Sequence, residues 1–392
     1  MKNMCAIVAI MAVFTLAVCF IMIGAVSEEL KARLDIDNSG IGTMVFIFSF
    51  TCMIVQLLVG PLVDRFGHKP LAIVGFIVAS LSIFVLGFAS SFLMAVASAI
   101  LLGVGAICCN TVGNTLLPVV LFDGKEPARA SNFGNAFVGL AFVLTPLAIV
   151  TLINDLGWSY ERTLSIIAGV VLVFAVFALL NTYPRVSTGF ELAKAVRLLS
   201  HPLVLVAALA LVCYIGLEFS MNTWIKPLMT ELYEKADNVN AVRDAGRTLA
   251  LFGLAMAVGR FLTSMVKNLS QIGTFVIAGG ALVGIVSIMM MVYTSNPKLA
   301  TLAVLGTGLA FAPMFPTIVG VTFSKYDAGF YGSIFGIIFS IGLLGSMILP
   351  KLIGSLSVDK TVQQSLPIAA IISGVLLVIA LLMGWAYKKH NK

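Results

Sequence analysis

The stretch GPLVDRFGHKP, residues Gly60–Pro70, is a short charged segment between two long apolar runs, Thr43–Leu62 and Leu71–Ser90. Only 10% of the chain is Asp, Glu, Lys or Arg, yet six consecutive positions of this segment hold Asp64, Arg65, His68 and Lys69. Each apolar run has about 20 residues, which is the length that a helix needs to cross a bilayer. We therefore expect two membrane-spanning helices joined by a turn that lies in water beside the membrane.

The whole chain is too apolar for a soluble globular protein. Its 392 residues are 60% hydrophobic and their mean hydropathy is +1.08, whereas soluble domains are about 45–50% apolar. With about 20 residues for each span and short loops, this length allows roughly twelve spans. The composition therefore predicts an all-α, multi-pass protein whose surroundings are the lipid bilayer.

The positive net charge does not indicate a nucleic-acid partner. The formal charge is +7, but Lys and Arg fall in loops and termini and form no basic stripe interleaved with aromatic residues. The six cysteines lie inside apolar runs, where they read as small residues that pack between helices. We therefore expect neither a disulfide framework nor a metal site here, and we expect no cofactor.

Alternation of apolar runs and polar connectors predicts twelve helices. Their expected ranges are 4–30, 40–62, 71–90, 93–120, 132–153, 162–182, 203–232, 243–266, 272–294, 299–323, 330–354 and 364–387. The polar connector Asn181–Pro202 separates six spans from six. We therefore expect an N-terminal six-helix bundle at residues 1–182, a cytoplasmic linker at 183–202 and a C-terminal six-helix bundle at 203–392.

The topology follows from the number of spans and from the basic residues. An even number of spans places both termini on one side of the membrane. Lys and Arg are modestly more frequent on the side of Gly60–Pro70, which favours cytoplasmic termini in a bacterial inner membrane. In a duplicated architecture of this kind the solute site is a central cavity between the halves, near mid-membrane.

Polar residues inside the spans are the candidates for that site, because a charge at the centre of a spanning helix costs about 2.5–3.5 kcal/mol. Glu28 and Glu29 end the first span, in IGAVSEELKARL. A solvated helix end beside Lys31 and Arg33 is the alternative explanation. Consecutive helical residues point about 100° apart, so at most one of the two glutamates can face a cavity.

Amide side chains occur in the fourth and fifth spans. In GVGAICCNTVGNTLLP, Asn110 and Asn114 lie one turn apart on one face, together with Gly113. The fifth span, NFGNAFVGLAFVLTP, supplies Asn135. These amides are predicted to line the cavity, and hydrogen bonding between helices is the alternative.

The seventh span, YIGLEFSMNTWIKPL, carries Glu218 and, four residues later on the same face, Asn222. A carboxylate deep in a span with no basic residue nearby in the sequence suits a proton carrier; cation binding and interhelical hydrogen bonding are the alternatives. Trp224 is expected to stack on the solute, although interface belts also collect tryptophan.

The tenth span, LAFAPMFPTIVGVTF, contains Pro313 and Pro316. Two prolines three residues apart interrupt the backbone hydrogen bonds of a helix. We therefore expect a bent or unwound helix here, which is tolerated in a membrane where it faces protein or a water-filled cavity.

The pattern G-x-x-x-D-R-x-G-x-K in the opening stretch resembles the loop between the second and third spans of the major facilitator superfamily. The resemblance implies a conformational switch loop made by Gly60, Asp64, Arg65, Gly67 and Lys69. In it, glycine at position 60 allows two helices to approach, and the acid faces the positive N-terminal end of a helix from the other half. A stop-transfer charge cluster that only sets topology is the alternative.

Further motifs are similar to those of the fucose–proton symporter family within that superfamily. They are IGAVSEE, N-T-x-x-N, Y-I-G-x-E, V-G-R-F and F-P-T-I, in the first, fourth, seventh, eighth and tenth spans. The family takes up sugars with a proton or, in some relatives, sodium. Its first-span acid falls on Glu28 and its fifth-span glutamine on Asn135, but its fourth-span acid falls on Asn110, which removes a group used in proton coupling.

The resemblance implies a secondary active transporter, not an enzyme, that takes up a sugar by proton or sodium symport through alternating access and works as a monomer. The expected solute-binding residues are Asn110, Asn114, Asn135, Glu218, Asn222 and Trp224. The expected coupling residue is Glu218, with Glu28 as the second candidate.

Two other functions remain open at this point. An exporter or organic-anion carrier of the same superfamily would need a buried cation for an anionic solute, for which Lys226 and Arg247, both expected near the outer edge, are the only candidates that the sequence offers. A membrane sensor or enzyme would need a catalytic or signalling element, and no Ser–His or metal-ligand cluster occurs in the spans.

Overall fold

A computed structural model describes residues 2–36, 38–184, 201–357 and 360–390 of the chain. Within these ranges the regular structure is helical, with no strand. The helices, numbered in chain order, are α1 Lys2–Ala25, α2 Ser27–Leu34, α3 Asn38–Phe66, α4 His68–Gly87, α5 Phe92–Val120, α6 Pro127–Val150, α7 Tyr160–Leu180, α8 Pro202–Lys235, α9 Ala241–Ser264, α10 Leu269–Tyr293, α11 Pro297–Phe311, α12 Met314–Phe323, α13 Tyr331–Leu356, α14 Val362–Ser365 and α15 Pro367–His390. Short helical turns also occur at Phe122–Gly124, Thr151–Asp155 and Ala328–Phe330.

Twelve helical stretches of the described chain are long and apolar enough to cross a membrane. Each one overlaps a helix predicted from the sequence, so the prediction of an all-α, multi-pass membrane protein is confirmed. One difference is at the first span, which ends at Ala25 and is followed by the separate short helix α2. The polar sequence SEELKARL, which is not apolar enough for a span, accounts for that end.

The tenth span is interrupted where its prolines predicted. Helix α11 ends at Phe311 and α12 begins at Met314, so the break falls on Ala312 and Pro313. Pro313 has no N–H to donate to the preceding turn, and this loss ends α11.

The turn in the opening stretch is shorter than the sequence indicated, because the two flanking helices extend into it. Helix α3 continues to Phe66, Gly67 turns the chain with a φ of 79°, and α4 begins at His68. Arg65 and Lys69 are exposed, as expected. Asp64 and His68 are buried, so the expectation that the whole turn lies in water was wrong for these two residues.

The helices form two compact units. Among the described residues, the first contains 2–36, 38–125, 137–184 and 326–340, and the second contains 126–136, 201–325, 341–357 and 360–390. Helices α6 and α13 therefore each have residues in both units. The predicted boundary at residues 183–202 stays a prediction, because residues 185–200 lie outside the described part of the chain.

The same set of helix pairings recurs in the two units. In the first, α4 packs against α5 and α7, and α5 also packs against α1 and α3. In the second, α10 packs against α11 and α15, and α11 also packs against α8 and α9. Each unit is thus built around the close contact of its third and fourth spanning helices.

Candidate functional site

The carboxylate of Asp64 lies at the beginning of α13. Its Oδ1 accepts a hydrogen bond from the backbone N–H of Gly332 at 2.9 Å. Its Oδ2 accepts one from the backbone N–H of Ser333 at 2.7 Å and one from the Ser333 hydroxyl at 2.6 Å. The first N–H groups of a helix have no partner within the helix and carry partial positive charge, which favours an anion here. The predicted contact of Asp64 with a helix N-terminus is confirmed.

Glycines allow α3 and α13 to approach closely at the same place. A Cβ atom added to Gly60 would lie 2.5 Å from the carbonyl oxygen of Gly332 and 3.0 Å from the Cα of Gly336. Side chains larger than hydrogen do not fit between backbones at such distances. The predicted close approach at Gly60 is therefore confirmed, whereas a switching role of this loop stays a prediction.

His68 connects the turn to α5. Its Nε2 lies 3.0 Å from the hydroxyl oxygen of Thr115, and that hydroxyl donates to the backbone carbonyl of Thr111 at 2.6 Å. Because the single hydroxyl hydrogen is used in this way, the imidazole Nε2–H is the donor to Thr115.

Buried amides link α3 and α5 in the first unit. Gln56 donates through Nε2 to the Thr111 hydroxyl at 2.9 Å, and Asn110 donates through Nδ2 to Oε1 of Gln56 at 3.4 Å. Asn114 donates through Nδ2 to Oδ1 of Asn110 at 2.8 Å. The contact of Asn110 with Gln56 is the interhelical hydrogen bonding that was the alternative for this residue, whereas the contact of Asn114 lies within α5. Solute binding by the two asparagines stays a prediction.

The second unit contains a buried arginine that contacts four other residues. The guanidinium of Arg260, on α9, donates through Nε to the carbonyl of Ala312 at 3.0 Å and through one terminal nitrogen to the carbonyl of Asn135 at 3.2 Å. The other terminal nitrogen donates to the Tyr214 hydroxyl at 3.2 Å and to Oε1 of Glu218 at 3.1 Å. Arg260 therefore ties α6, α8 and the break after α11 to α9.

Pro316 explains why the carbonyl of Ala312 is available to Arg260. In an uninterrupted helix this carbonyl would accept from the N–H four residues later, at position 316. Position 316 is a proline, which has no N–H. The Nε–H of Arg260 takes the place of the missing donor.

Two sequence interpretations of charge are corrected by this cluster. Glu218 was expected to have no basic partner, but Arg260 forms an ion pair with it, and the side chains of Arg260 and Glu218 are 2% and 13% exposed. Lys226 and Arg247, expected near the outer edge, are exposed, and the buried cation is Arg260, which was not among the candidates. Arg260 is 42 residues from Glu218 in the chain, so sequence spacing did not reveal the pairing.

Asn135 and Asn222 make local hydrogen bonds in the second unit. Asn135 is buried and donates through Nδ2 to the carbonyl of Ser131 at 3.0 Å. Asn222 is partly exposed and donates to the backbone carbonyl of Glu218 at 3.0 Å. Asn135 thus contacts Arg260 through its backbone carbonyl, and Asn222 lies one helical turn after Glu218 on α8.

Trp224 is held against α13 in the second unit. Its indole N–H donates to the carbonyl of Pro350 at 3.1 Å, and a Cβ atom added to Gly354 would lie 2.9 Å from the ring. The ring therefore packs on a helix, and stacking of a solute on Trp224 stays a prediction.

The remaining expectations are not tested by the geometry. The side chain of Glu28 lies outside the residues described, so its coupling role stays a prediction. Asn110 and Asn114 belong to the first unit, whereas the other predicted solute-binding residues belong to the second; a single cavity lined by all of them stays a prediction too. Gln56 and Arg260 were missed as site residues, although a polar side chain inside an apolar span is a signal that could have identified both.

The fold resembles solved transporters over nearly its whole length. The structure of FucP, a Major Facilitator Superfamily transporter in the outward conformation, matches with a TM-score of 0.77 at 15% identity, covering 96% of this chain and 98% of that one. The E. coli fucose:proton symporter FucP, in a variant form, matches with a TM-score of 0.74 at 16% identity over the same shares of the two chains, 96% and 98%.

Sequence relatives are distant and carry several names. A TsgA homolog from Yersinia enterocolitica is 22% identical over 367 residues, which is 90% of this chain and 85% of the relative. The Methylenomycin A resistance protein of Bacillus subtilis is 24% identical over 265 residues, 62% of this chain and 56% of the relative. Multidrug resistance protein 1 of Bacillus subtilis is 25% identical over 134 residues, 33% of this chain and 34% of the relative.

A family-wide sequence profile matches residues 6–350, and its description is Major Facilitator Superfamily. This range includes the opening stretch, both buried polar clusters and eleven of the twelve candidate spans in whole or in part. The chain therefore belongs to the Major Facilitator Superfamily and is a membrane transporter, not an enzyme.

Proposed function

We propose that the protein is a secondary active transporter that takes up a small hydroxylated solute, most simply a sugar, together with a proton or a sodium ion. It would work as a monomer by alternating access in a bacterial inner membrane, with both termini in the cytoplasm. The fold likeness to a fucose:proton symporter supports this choice of solute and coupling.

The observation that carries the proposal is a partly exposed carboxylate inside a spanning helix. Glu218 lies on α8 with its side chain 13% exposed, beside the fully buried Arg260. A carboxylate at such a position is costly in a membrane and is retained where it binds an ion, a proton or a solute. Glu218 is therefore the proposed coupling residue, with Glu28 as the second candidate.

Amides supply the hydrogen-bonding groups that a hydroxylated solute requires. Asn110, Asn114, Asn135 and Asn222 are proposed to bind hydroxyl groups, and Trp224 is proposed to stack on a sugar ring. Losing one hydrogen bond to a buried polar group costs about 1–3 kcal/mol, so each alanine variant is expected to weaken solute binding measurably.

The test uses purified protein in liposomes with labelled L-fucose and D-galactose. Uptake against a gradient is measured with pH and sodium varied independently, alongside counterflow, in which substrate exchanges without a coupling gradient. Glu218→Gln is expected to abolish accumulation but to retain counterflow. Glu234→Gln, on the exposed surface of the same helix, is the matched control. Full accumulation by Glu218→Gln would move the coupling role to Glu28.

Export of an organic solute is the second candidate, and the two Bacillus subtilis resistance proteins among the sequence relatives favour it. The direction of transport separates the candidates. An importer accumulates solute on the side to which the coupling ion flows, whereas an exchanger-type exporter moves solute against the flow of the ion. If preloaded liposomes lose solute when an inward proton gradient is imposed, the proposed direction of transport changes from import to export.

A further inference from the structure

We propose that Arg260 binds a carboxylate group of the transported solute, and that this carboxylate takes the place of Glu218 beside the guanidinium when Glu218 is protonated. The inference rests on the proposed function and deepens it. The solute would be a hydroxylated monocarboxylate, such as a sugar acid, carried with one proton.

The guanidinium of Arg260 is anchored independently of Glu218. Its Nε–H and one terminal nitrogen are held by the carbonyls of Ala312 and Asn135, at 3.0 and 3.2 Å. Only the other terminal nitrogen contacts Glu218 and Tyr214. A different carboxylate can therefore replace Glu218 at this terminal nitrogen while the two anchoring bonds keep the guanidinium plane in place, and a hydrogen bond between a guanidinium and a carboxylate is charge-assisted.

Burial sets the condition for this exchange. The side chain of Arg260 is 2% exposed, and a buried charge without an opposite charge is strongly disfavoured. Protonation of Glu218 alone would leave the guanidinium uncompensated. Binding of an anion alone would place two carboxylates beside one cation. A proton and a monoanion together keep the net charge of the cluster unchanged.

The proton and charge balance of one cycle follows. Glu218, the more exposed partner at 13%, takes one proton from water and releases Arg260. The solute carboxylate then pairs with Arg260. On the opposite side of the membrane the solute leaves, Glu218 loses the proton to water, and the Glu218–Arg260 pair forms again. One proton and one monoanion have crossed, and no net charge has moved.

The pH dependence is assigned to Glu218. The ionisable side chains that the described residues bring to this cluster are Glu218, Tyr214 and Arg260. Helix α6 and the break after α11 contribute the neutral carbonyls of Asn135 and Ala312. The alternative is that Arg260 only braces the helices and that a neutral sugar binds Glu218 directly.

The experiment measures ligand-induced thermal stabilisation of the purified full-length protein at pH 6, 7 and 8. The probes are two matched pairs, D-galacturonate with D-galactose and D-glucuronate with D-glucose, which differ by the carboxylate. We expect stabilisation by the uronates, with an apparent Kd that rises about tenfold for each unit of pH because one proton binds with each anion.

Variants separate the binding role from a bracing role. Glu218→Gln mimics the protonated carboxyl, so uronate binding is expected to lose its pH dependence and to be tighter than in the wild type at pH 8. Arg260→Lys keeps the charge, but a single ammonium cannot make both anchoring hydrogen bonds and also hold a carboxylate in a fixed plane, so uronate binding is expected to weaken about tenfold or more. Arg247→Gln removes an exposed cation from the same helix and is the control that retains binding.

The outcomes separate this inference from the proposed function. If no uronate binds, the inference is overturned. If a hexose binds in that case, the proposed function still holds, and if neither a uronate nor a hexose binds, the proposed function is overturned as well. Uronate binding that is independent of pH in the wild type, or unchanged pH dependence in Glu218→Gln, also overturns the exchange. If Arg260→Lys does not fold, the pH profile of Glu218→Gln decides alone.

Discussion

The carboxylate of Asp64 accepts two hydrogen bonds from Ser333, one from the backbone N–H at 2.7 Å and one from the hydroxyl at 2.6 Å. The two residues are 269 positions apart in the chain, yet both belong to the first unit. Residues 341–356 of the same helix α13 belong to the second unit. Asp64 thus holds the part of α13 that packs with the first unit.

Asp64→Asn is expected to lower the maximal transport rate more than it raises the half-saturation concentration. An asparagine loses the negative charge at the helix N-terminus, and hydrogen bonds to charged groups contribute about 1.5–3 kcal/mol. Asp64 contacts two backbone N–H groups and the Ser333 hydroxyl and is not a proposed solute ligand. Losing these contacts is therefore expected to change the balance between conformations, while the affinity for the solute changes little. Initial uptake rates over a range of solute concentrations test this. Ser333→Ala, which keeps both backbone donors, is expected to have a smaller effect, and a normal maximal rate in Asp64→Asn would argue against a switching role.

Gly60→Ala is expected to lower the thermal midpoint and the transport rate. The added methyl group would lie 2.5 Å from the carbonyl oxygen of Gly332, so α3 and α13 must separate. Gly169→Ala on α7 is the control, since no atom lies within 4 Å of its added Cβ and alanine favours a helix by about 0.5–1 kcal/mol over glycine. Equal thermal midpoints for the two variants would remove the close-packing argument.

Features that depend on local sequence could be predicted. Apolar length alone located the twelve spans, because the bilayer fixes how many apolar residues a helix needs. Pro313 marked the break in the tenth span, since a missing N–H acts within one turn. The contact of Asp64 with a helix N-terminus was implied by the resemblance of its motif to the loop of the major facilitator superfamily, and it is present.

Features that depend on how distant helices face each other could not be predicted. The sequence shows Arg260 only as part of the V-G-R-F motif at the end of the eighth span, but its side chain is among the largest that are fully buried. Spans that are apolar on every face give no periodic signal to show which face meets a neighbour. For the same reason the sequence did not show that the indole of Trp224 donates to the carbonyl of Pro350.

Gln56 and Thr111 are expected to show strong coupling in a double-mutant cycle. Their hydrogen bond of 2.9 Å joins α3 to α5, and both side chains are buried. Gln56→Leu or Thr111→Val alone leaves a buried polar partner unsatisfied, at a cost of about 1–3 kcal/mol. The combined variant removes both partners, so its loss of stability should be smaller than the sum of the single losses. Thermal unfolding in detergent measures all four proteins, and additive losses would show that the bond contributes little.

Pro316→Ala is expected to reduce the dependence of folding on Arg260. The new backbone N–H at position 316 can donate to the carbonyl of Ala312, which now accepts from Nε of Arg260 at 3.0 Å. Arg260→Ala in the wild-type background removes the donor to all four partners of Arg260, which include that carbonyl and the Glu218 carboxylate, and breaking a buried ion pair costs about 3–5 kcal/mol. In the Pro316→Ala background the loss at the Ala312 carbonyl is compensated, so Arg260→Ala should lower the thermal midpoint less. Pro227→Ala, which changes a proline inside α8, is the control background and should give no such rescue. An equal fall of the midpoint in the wild-type and Pro316→Ala backgrounds would show that Pro316 does not create the acceptor that Arg260 uses.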